Sequence, residues 1–338
     1  MPRSDSRDTH VSLAHGNGGR LMRELIEEVF VRRLRNPFLD TTADATSLPA
    51  PVGQDLVVTT DGFTVKPLEF PGGNIGSLAV HGTVNDLAVA GAVPRFMTLS
   101  VFLEEGLEIS VLRRVVEALA TATRTCDVSV VAGDTKVVGR GECDGIYISM
   151  TGLGFKPTGM RFALDRVRIG DQILVSGPVG DHGAAVLLAR QAFGFRGDLK
   201  SDAASVLPEA RALIGIAGLH FMRDPTRGGL ATVSHEIAHT TGFAVHLVED
   251  QIPVNDAVQS VCELLGFDPL YLACEGRLVA IVAPDEAAVA LSALRRIAPL
   301  AAIIGEIRAG SPQVVLDTSF GGQRVLDELE DDPLPRIC

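Results

Sequence analysis

The sequence predicts a two-domain protein of the α/β (α+β) class. Strand-like and helical runs alternate in both halves of the 338-residue chain. The alternation breaks once, around 156–170, where Pro157, Gly159 and a cluster of charges interrupt it. The length itself suits about two domains. Expected boundaries are 1–157 for the first domain and 158–318 for the second. Residues 319–338 form a tail that ends in DELEDDPLPRIC, acidic and with no apolar period, so an extended and mobile segment is expected.

Along the chain, Leu21, Leu25, Val29 and the Arg32 stem recur at helical spacing and predict a helix over 20–34. DLVVTTDG (55–62) predicts a strand ending in a polar turn. The small-residue run 76–91 predicts a helix closed by Gly91 and Pro94. A helix over 109–124 leads into a strand at VSVVAGD, and DGIYISMTGLGF (144–155) alternates as a strand. In the second half DQILVSG, FAVHLV, EGRLVAIV, AAIIGEI and QVVLD read as strands. GDHGAAVLLARQAF, 207–218, 228–241 and 285–298 read as helices.

Composition narrows the function. Apolar residues make up 46% and charged residues 21%, enough for ordinary cores, and 35 glycines point to tight turns and close approaches to a ligand. With no Trp and two Tyr, the chain lacks stacking platforms for single-stranded nucleic acid. A net charge of −12 argues against a nucleic acid or an anionic membrane as partner, yet permits a nucleotide held by backbone N–H groups and a metal. The polar N-terminus and the lack of a membrane-length apolar run predict a soluble, cytoplasmic protein. Cys126, Cys143, Cys262, Cys274 and Cys338 are scattered, which suggests neither a disulfide framework nor a zinc ribbon.

HEIAHTTGFAVH (235–246) contains the helical zinc motif H-E-x-x-H, with His235 and His239 on one face. A catalytic zinc needs a third protein ligand. In the longer protease motif that position falls on Val245, with His246 one residue too far and on the opposite face of a strand. Glu249 or Glu263 remain as substitutes. No zinc is expected.

The stronger signal is a set of carboxylates at strand ends and in glycine-rich contexts: Asp44 in TTADATS, Asp61 closing VVTTDG, Asn85-Asp86, Asp134 in GDTK, and Asp224 opening DPTRGG. Mg²⁺ favours a few carboxylates together with phosphate oxygens. HGNGGR places Gly16, Gly18 and Gly19 before a helix, where N–H groups attract anions, and Arg227 in DPTRGGL is a second phosphate clamp. The plainer alternatives are turn residues, and a helix cap by Asp224 or Thr226.

FPGGNIGSLAVHGTVNDLAVAGAVP, VVAGDTKVV, DPTRGGL and the terminal PRIC together resemble the HypE family of hydrogenase maturation factors. That family lies within the ATP-binding superfamily of aminoimidazole ribonucleotide synthetase and selenophosphate synthetase. The resemblance spans HGNGG to Cys338, and PRIC is its most specific part. It implies a PurM-like fold whose N-terminal ATP-binding sheet pairs across a homodimer, with a larger C-terminal domain. It implies Mg²⁺ on Asp44, Asp61, Asp86 and Asp134, with Asp40 as a rival to Asp44. ATP would meet Gly16, Gly18, Gly19, Asn85, Asp224 and Arg227. It further implies that HypF loads a carbamoyl group onto Cys338, which is dehydrated with ATP to a thiocyanate. The cyano group then passes to iron on a HypC–HypD complex. By the same resemblance Lys136 holds an oxygen and Glu275 is the base. Their plain alternatives are a surface lysine and a glutamate paired with Arg277 or Arg295.

The chemistry is coherent on its own terms. A carbamoyl oxygen leaves poorly as oxide but well as phosphate, so phosphoryl transfer precedes nitrile formation. A tail from Phe320 to Cys338 reaches up to ~60 Å. Selenophosphate synthetase would need a reactive residue in the N-terminal loop, and the first cysteine here is Cys126. A phosphotransferase with an inert tail and a non-catalytic docking module are the competing readings. Cys274, beside Glu275, is undecided at this stage.

Overall fold

The structure, a computed structural model, describes residues 9–17, 19–41, 45–190, 199–330, 334 and 336–338. The N-terminal helix forms where expected but is not regular. α1 (Arg20–Leu25) widens into a π turn over Ile26–Val31 and closes as α2 (Arg32–Leu34), and the wider turn buries both Val29 and Phe30.

β1 (Gln54–Phe63) turns Val57, Thr59, Asp61 and Phe63 toward the helices and leaves Leu56, Val58 and Thr60 outside. A short hairpin, β2 (Glu69–Phe70) with β3 (Gly73–Asn74), leads to α3 (Ile75–Val89). Asn74 caps that helix by accepting from the Gly76 and Ser77 N–H groups. α3 is buried almost all round, and its small residues permit this: a Cβ at Gly76 would stand 2.2 Å from the Val115 carbonyl oxygen. β4 (Val93–Glu104), α4 (Ile109–Cys126), β5 (Ser129–Val138) and β6 (Ile146–Pro157) complete this half. The four strands lie in the order β1-β6-β4-β5, with β4 and β5 parallel across the α4 crossover.

The second half holds β7 (Gln172–Val175), α5 (Asp181–Arg190), α6 (Leu207–Ile214), β8 (Leu219–Arg223), α7 (Gly229–Thr241), β9 (Ala244–Val248) and α8 (Asp256–Leu265). β10 (Val279–Val282), α9 (Ala287–Arg295), β11 (Ala302–Arg308), β12 (Val314–Asp317) and β13 (Gln323–Val325) follow. Its seven strands run β13-β12-β9-β11-β7-β10-β8. Leu230, Val233 and Ile237 of α7 fill one core with Ile173, Val279 and Ile281. The other core joins the two halves, with α3 against α6.

The tail differs from the sequence expectation in one respect. Leu334 and Ile337 are buried and belong to the joining core. Thr64 N–H donates to the Cys338 carbonyl at 3.1 Å and Lys66 N–H to that of Arg336 at 3.2 Å. Two apolar pegs and main-chain hydrogen bonds seat the end, where no periodic pattern was needed.

Candidate functional site

β1 brings Asp61 to the helix-facing side of the small sheet, where α3 presents Asp86. Thr59 Oγ1 donates to Asp86 Oδ2 at 2.6 Å, and the Asp61 carboxyl lies close enough to Asp86 to feel its charge. Burial first, then Asp86, pushes Asp61 up to about 6, while Arg227 pulls it down. From the other half, the DPTRGG turn delivers Asp224, buried and raised to about 7 by burial, with Asp86 and Asp61 adding to it. Glu275 completes the group. It is 2% exposed, its Oε1 has no hydrogen-bond partner among the described residues, and burial with Asp224, Asp202, Asp61 and Asp86 holds it well above the usual range.

Four neighbouring carboxyl groups, three of them raised and one with an orphaned oxygen, are a donor set suited to a hard divalent cation. Asp61, Asp86 and Asp224 would hold Mg²⁺ there. Exposed Arg227 flanks them.

The turn that carries Asp224 is held by glycine. Gly228 and Gly229 both have left-handed φ, 72° and 59°, and a Cβ at Gly229 would stand 2.5 Å from the Leu272 carbonyl oxygen. The N-cap of α7 is Gly228, with no side-chain cap, so neither Asp224 nor Thr226 plays the capping role. Asn85 is occupied in joining the halves: its Nδ2 donates to the carbonyls of Ala204 (3.0 Å) and Glu275 (3.2 Å), and its Oδ1 accepts from Val206 N–H. Arg277 pairs with Asp181 and Asp202, and Arg295 bonds the Ala301 carbonyl, so Glu275 pairs with neither arginine. Cys274 is fully buried, accepts from Gly180 N–H at 3.2 Å, and burial raises its thiol well above the ordinary value. It is a structural residue.

Asp134 and Lys136 do not join this group within one chain. The register Asp61↔Met150↔Leu99↔Gly133 sets β1 and β5 at opposite edges, about 14 Å apart at three strand spacings. Asp134 pairs with Ser100 and Lys136 with Phe102, on the outer face, where the two ion-pair at 3.0 Å. Gly16 packs beside them, its missing Cβ allowing contact with Val137, and Gly19 N–H donates to Asn17 Oδ1. Gly18 and Asp44 lie outside the described residues.

Cys338 is half-buried beside Thr64, the residue following β1. His182, which the sequence reading passed over, holds its neighbour. Burial lowers the ring to about 4, so it is neutral; Nδ1 accepts from Ser201 Oγ and Nε2–H donates to the Ile337 carbonyl, each at 2.7 Å. Arg190 also donates to the Arg336 carbonyl, and Arg336 pairs with Asp144. Asp202 was missed too; it accepts from Glu275 and Gly276 N–H and fixes the loop bearing Glu275. His182 lies inside the apolar helical run GDHGAAVLLARQAF and Asp202 in a polar loop, and neither belongs to a motif that marks it.

At the zinc motif the structure differs from the sequence reading. Glu249 accepts from Ser319 N–H and Glu263 from Gln259, whereas Glu328 stands against the histidine pair.

Two family matches cover most of the chain: AIR synthase related protein, N-terminal domain, over residues 42–155, and AIR synthase related protein, C-terminal domain, over 168–317. Carbamoyl dehydratase HypE of Bradyrhizobium diazoefficiens is 46% identical over 340 residues, 99% of this chain and 98% of that one. A solved hydrogenase maturation protein HypE in complex with ATP matches at TM-score 0.92 and 44% identity, covering 97% and 99% of the two chains. A HypE–HypF complex matches at TM-score 0.79 and 40% identity over 90% and 99%. Carboxylates from two domains, a C-terminal cysteine whose main chain is held at Thr64 and this full-length similarity give one conclusion: the chain belongs to the HypE family of carbamoyl dehydratases, built on the paired AIR synthase related domains.

Proposed function

We propose that this chain uses ATP to dehydrate an S-carbamoyl group on Cys338 to a thiocyanate, supplying cyanide for the iron of a [NiFe]-hydrogenase. The carrying observation is the seat of the tail: its main chain pairs with 64–66, directly after the strand that bears Asp61. Phosphoryl transfer from ATP to the carbamoyl oxygen releases ADP. The C–O bond then breaks with phosphate as leaving group, both N–H protons depart, and S–C≡N remains. Mg²⁺, when bound, would neutralise charge on the phosphate oxygens. Glu275 takes a proton from nitrogen; its high proton affinity in the closed cleft matches that role once cationic charge has ionised it.

Lys136 and Asp134 reach the nucleotide from a second copy of the chain. The outer sheet face that carries them also exposes Leu56 (55%), Val58 (56%) and Phe102 (40%), an apolar strip suited to pairing with its twin. HypF is the carbamoyl donor and a HypC–HypD complex the cyanide acceptor, all in the cytoplasm.

Mass spectrometry of the C-terminal peptide after incubation with HypF, carbamoyl phosphate and ATP tests the reading. The peptide gains about 43 Da and then retains about 25 Da, the arithmetic of adding CONH and losing water. An unchanged mass at Cys338 would sink it, as would ATP hydrolysis indifferent to Cys338→Ala, which is what a phosphotransferase with an inert tail would give.

A further inference from the structure

α7 sets His235 and His239 one turn apart on one face, and the chain leaving β13 returns Glu328 to the same place. One potential ligand atom from each of the three lies within 4.8 Å of the others. The two rings stack with centroids 6.0 Å apart, and His239 Nε2 is 3.2 Å from Glu328 Oε2. His235 is 6% exposed, and its Nε2 has no hydrogen-bond partner among the described residues. A buried imidazole nitrogen left in that state costs its full desolvation unless something binds it.

Glu328 does not arrive on a loose strand. Leu326 is buried, Tyr271 Oη donates to the Asp327 carbonyl at 2.6 Å, and Leu329 packs over Gly228. Two imidazoles and one carboxylate at fixed positions form a ligand set for Zn²⁺ and its first-row neighbours, with room for a solvent ligand. Mg²⁺ prefers the all-oxygen cluster in the cleft. The arrangement is not hydrolytic. Glu236, the base of the peptidase motif, is turned to Arg223 at 3.5 Å.

We propose that His235, His239 and Glu328 bind a zinc-type divalent cation that clamps the root of the C-terminal tail onto α7. The clamp fixes the chain at Glu328, ten residues before Cys338. It also ties that stretch to the helix that follows Asp224 and Arg227.

The test uses the full chain, stripped with EDTA, with thiols alkylated and excess Mg²⁺ present to occupy the oxygen sites. Titration with CoCl₂ gives a visible ligand-field band that saturates near about one equivalent and is displaced by Zn²⁺. His239→Ala and Glu328→Gln each weaken binding by roughly 10–100-fold. Both side chains are exposed, so these variants fold; a thermal melt checks it. Zn²⁺ slows amide exchange at 326–330 in the parent chain and not in Glu328→Gln. Cobalt binding that is equally tight in both variants, or a band that never forms, overturns the proposal; in either case His239–Glu328 is a plain side-chain hydrogen bond.

Discussion

Asp61, Asp224 and Glu275 are held toward their protonated forms by burial and by one another, which ties metal affinity to pH at the scale of single residues. In the metal-stripped chain, Asp61 and Asp224 contribute stability that is present below the unfolded carboxyl value. That contribution is lost as pH rises through about 6 and about 7. His81 and His182, both lowered to about 4 by burial, act oppositely, adding stability as pH rises toward their unfolded value. A difference measurement cancels the histidines. The rise in melting temperature caused by Mg²⁺ with a non-hydrolysable ATP analogue is predicted to be small near about pH 5.5. It grows by a few degrees toward about pH 8, because protons and metal compete for the same carboxylates. A rise independent of pH would place the metal elsewhere. Glu275→Gln keeps the shape of the site and removes its base, so nucleotide binding persists while dehydration falls by about 10²–10⁴-fold. Equal turnover in that variant, followed by phosphate release, would remove Glu275 from proton transfer.

Among the elements, the described part of the tail is seated by Leu334, Ile337 and main-chain contacts, with Arg336 reaching out to Asp144. Replacing Ile337 by Ser removes one peg, and cleavage by trypsin after Arg336 is expected to accelerate by roughly tenfold, read as loss of the last two residues by mass. Identical cleavage rates would mean that Ile337 does not hold the tail. The elements with clear signals were legible: α4, β6 and α7 lie where hydrophobic spacing puts them, β1 where its apolar run does, and α3 where a small-residue run meets Gly91. β4 was not, because Pro94 reads as a helix stop and yet begins a strand. α8 was hidden by its mostly exposed length, with Val258 and Cys262 as its buried residues.

At the scale of the whole molecule the sequence groups the aspartates as one set, whereas within one chain the structure sets Asp134 apart from Asp61 and Asp86. Faces and edges of a sheet depend on register, and register is a property of pairing that one strand cannot state alone. Asp61 and Asp134 read as equivalent strand-end aspartates; pairing puts them at opposite edges and on opposite faces. The shared-site reading predicts complementation. Lys136→Ala and Glu275→Gln homodimers are each inactive, while randomly mixed dimers regain about a quarter of parental turnover. Half the dimers are then mixed, each with one intact site. No recovery on mixing would return both residues to one chain. Val58→Glu, on the apolar outer face, is predicted to shift the chain to monomer in sedimentation and to abolish turnover with it.

The neutral ring of His182 grips the peptide oxygen of Ile337, and the Thr64 N–H grips a main-chain oxygen of Cys338. A hold on main-chain oxygens is indifferent to what the last side chain carries, so these two handles serve the empty and the loaded end equally.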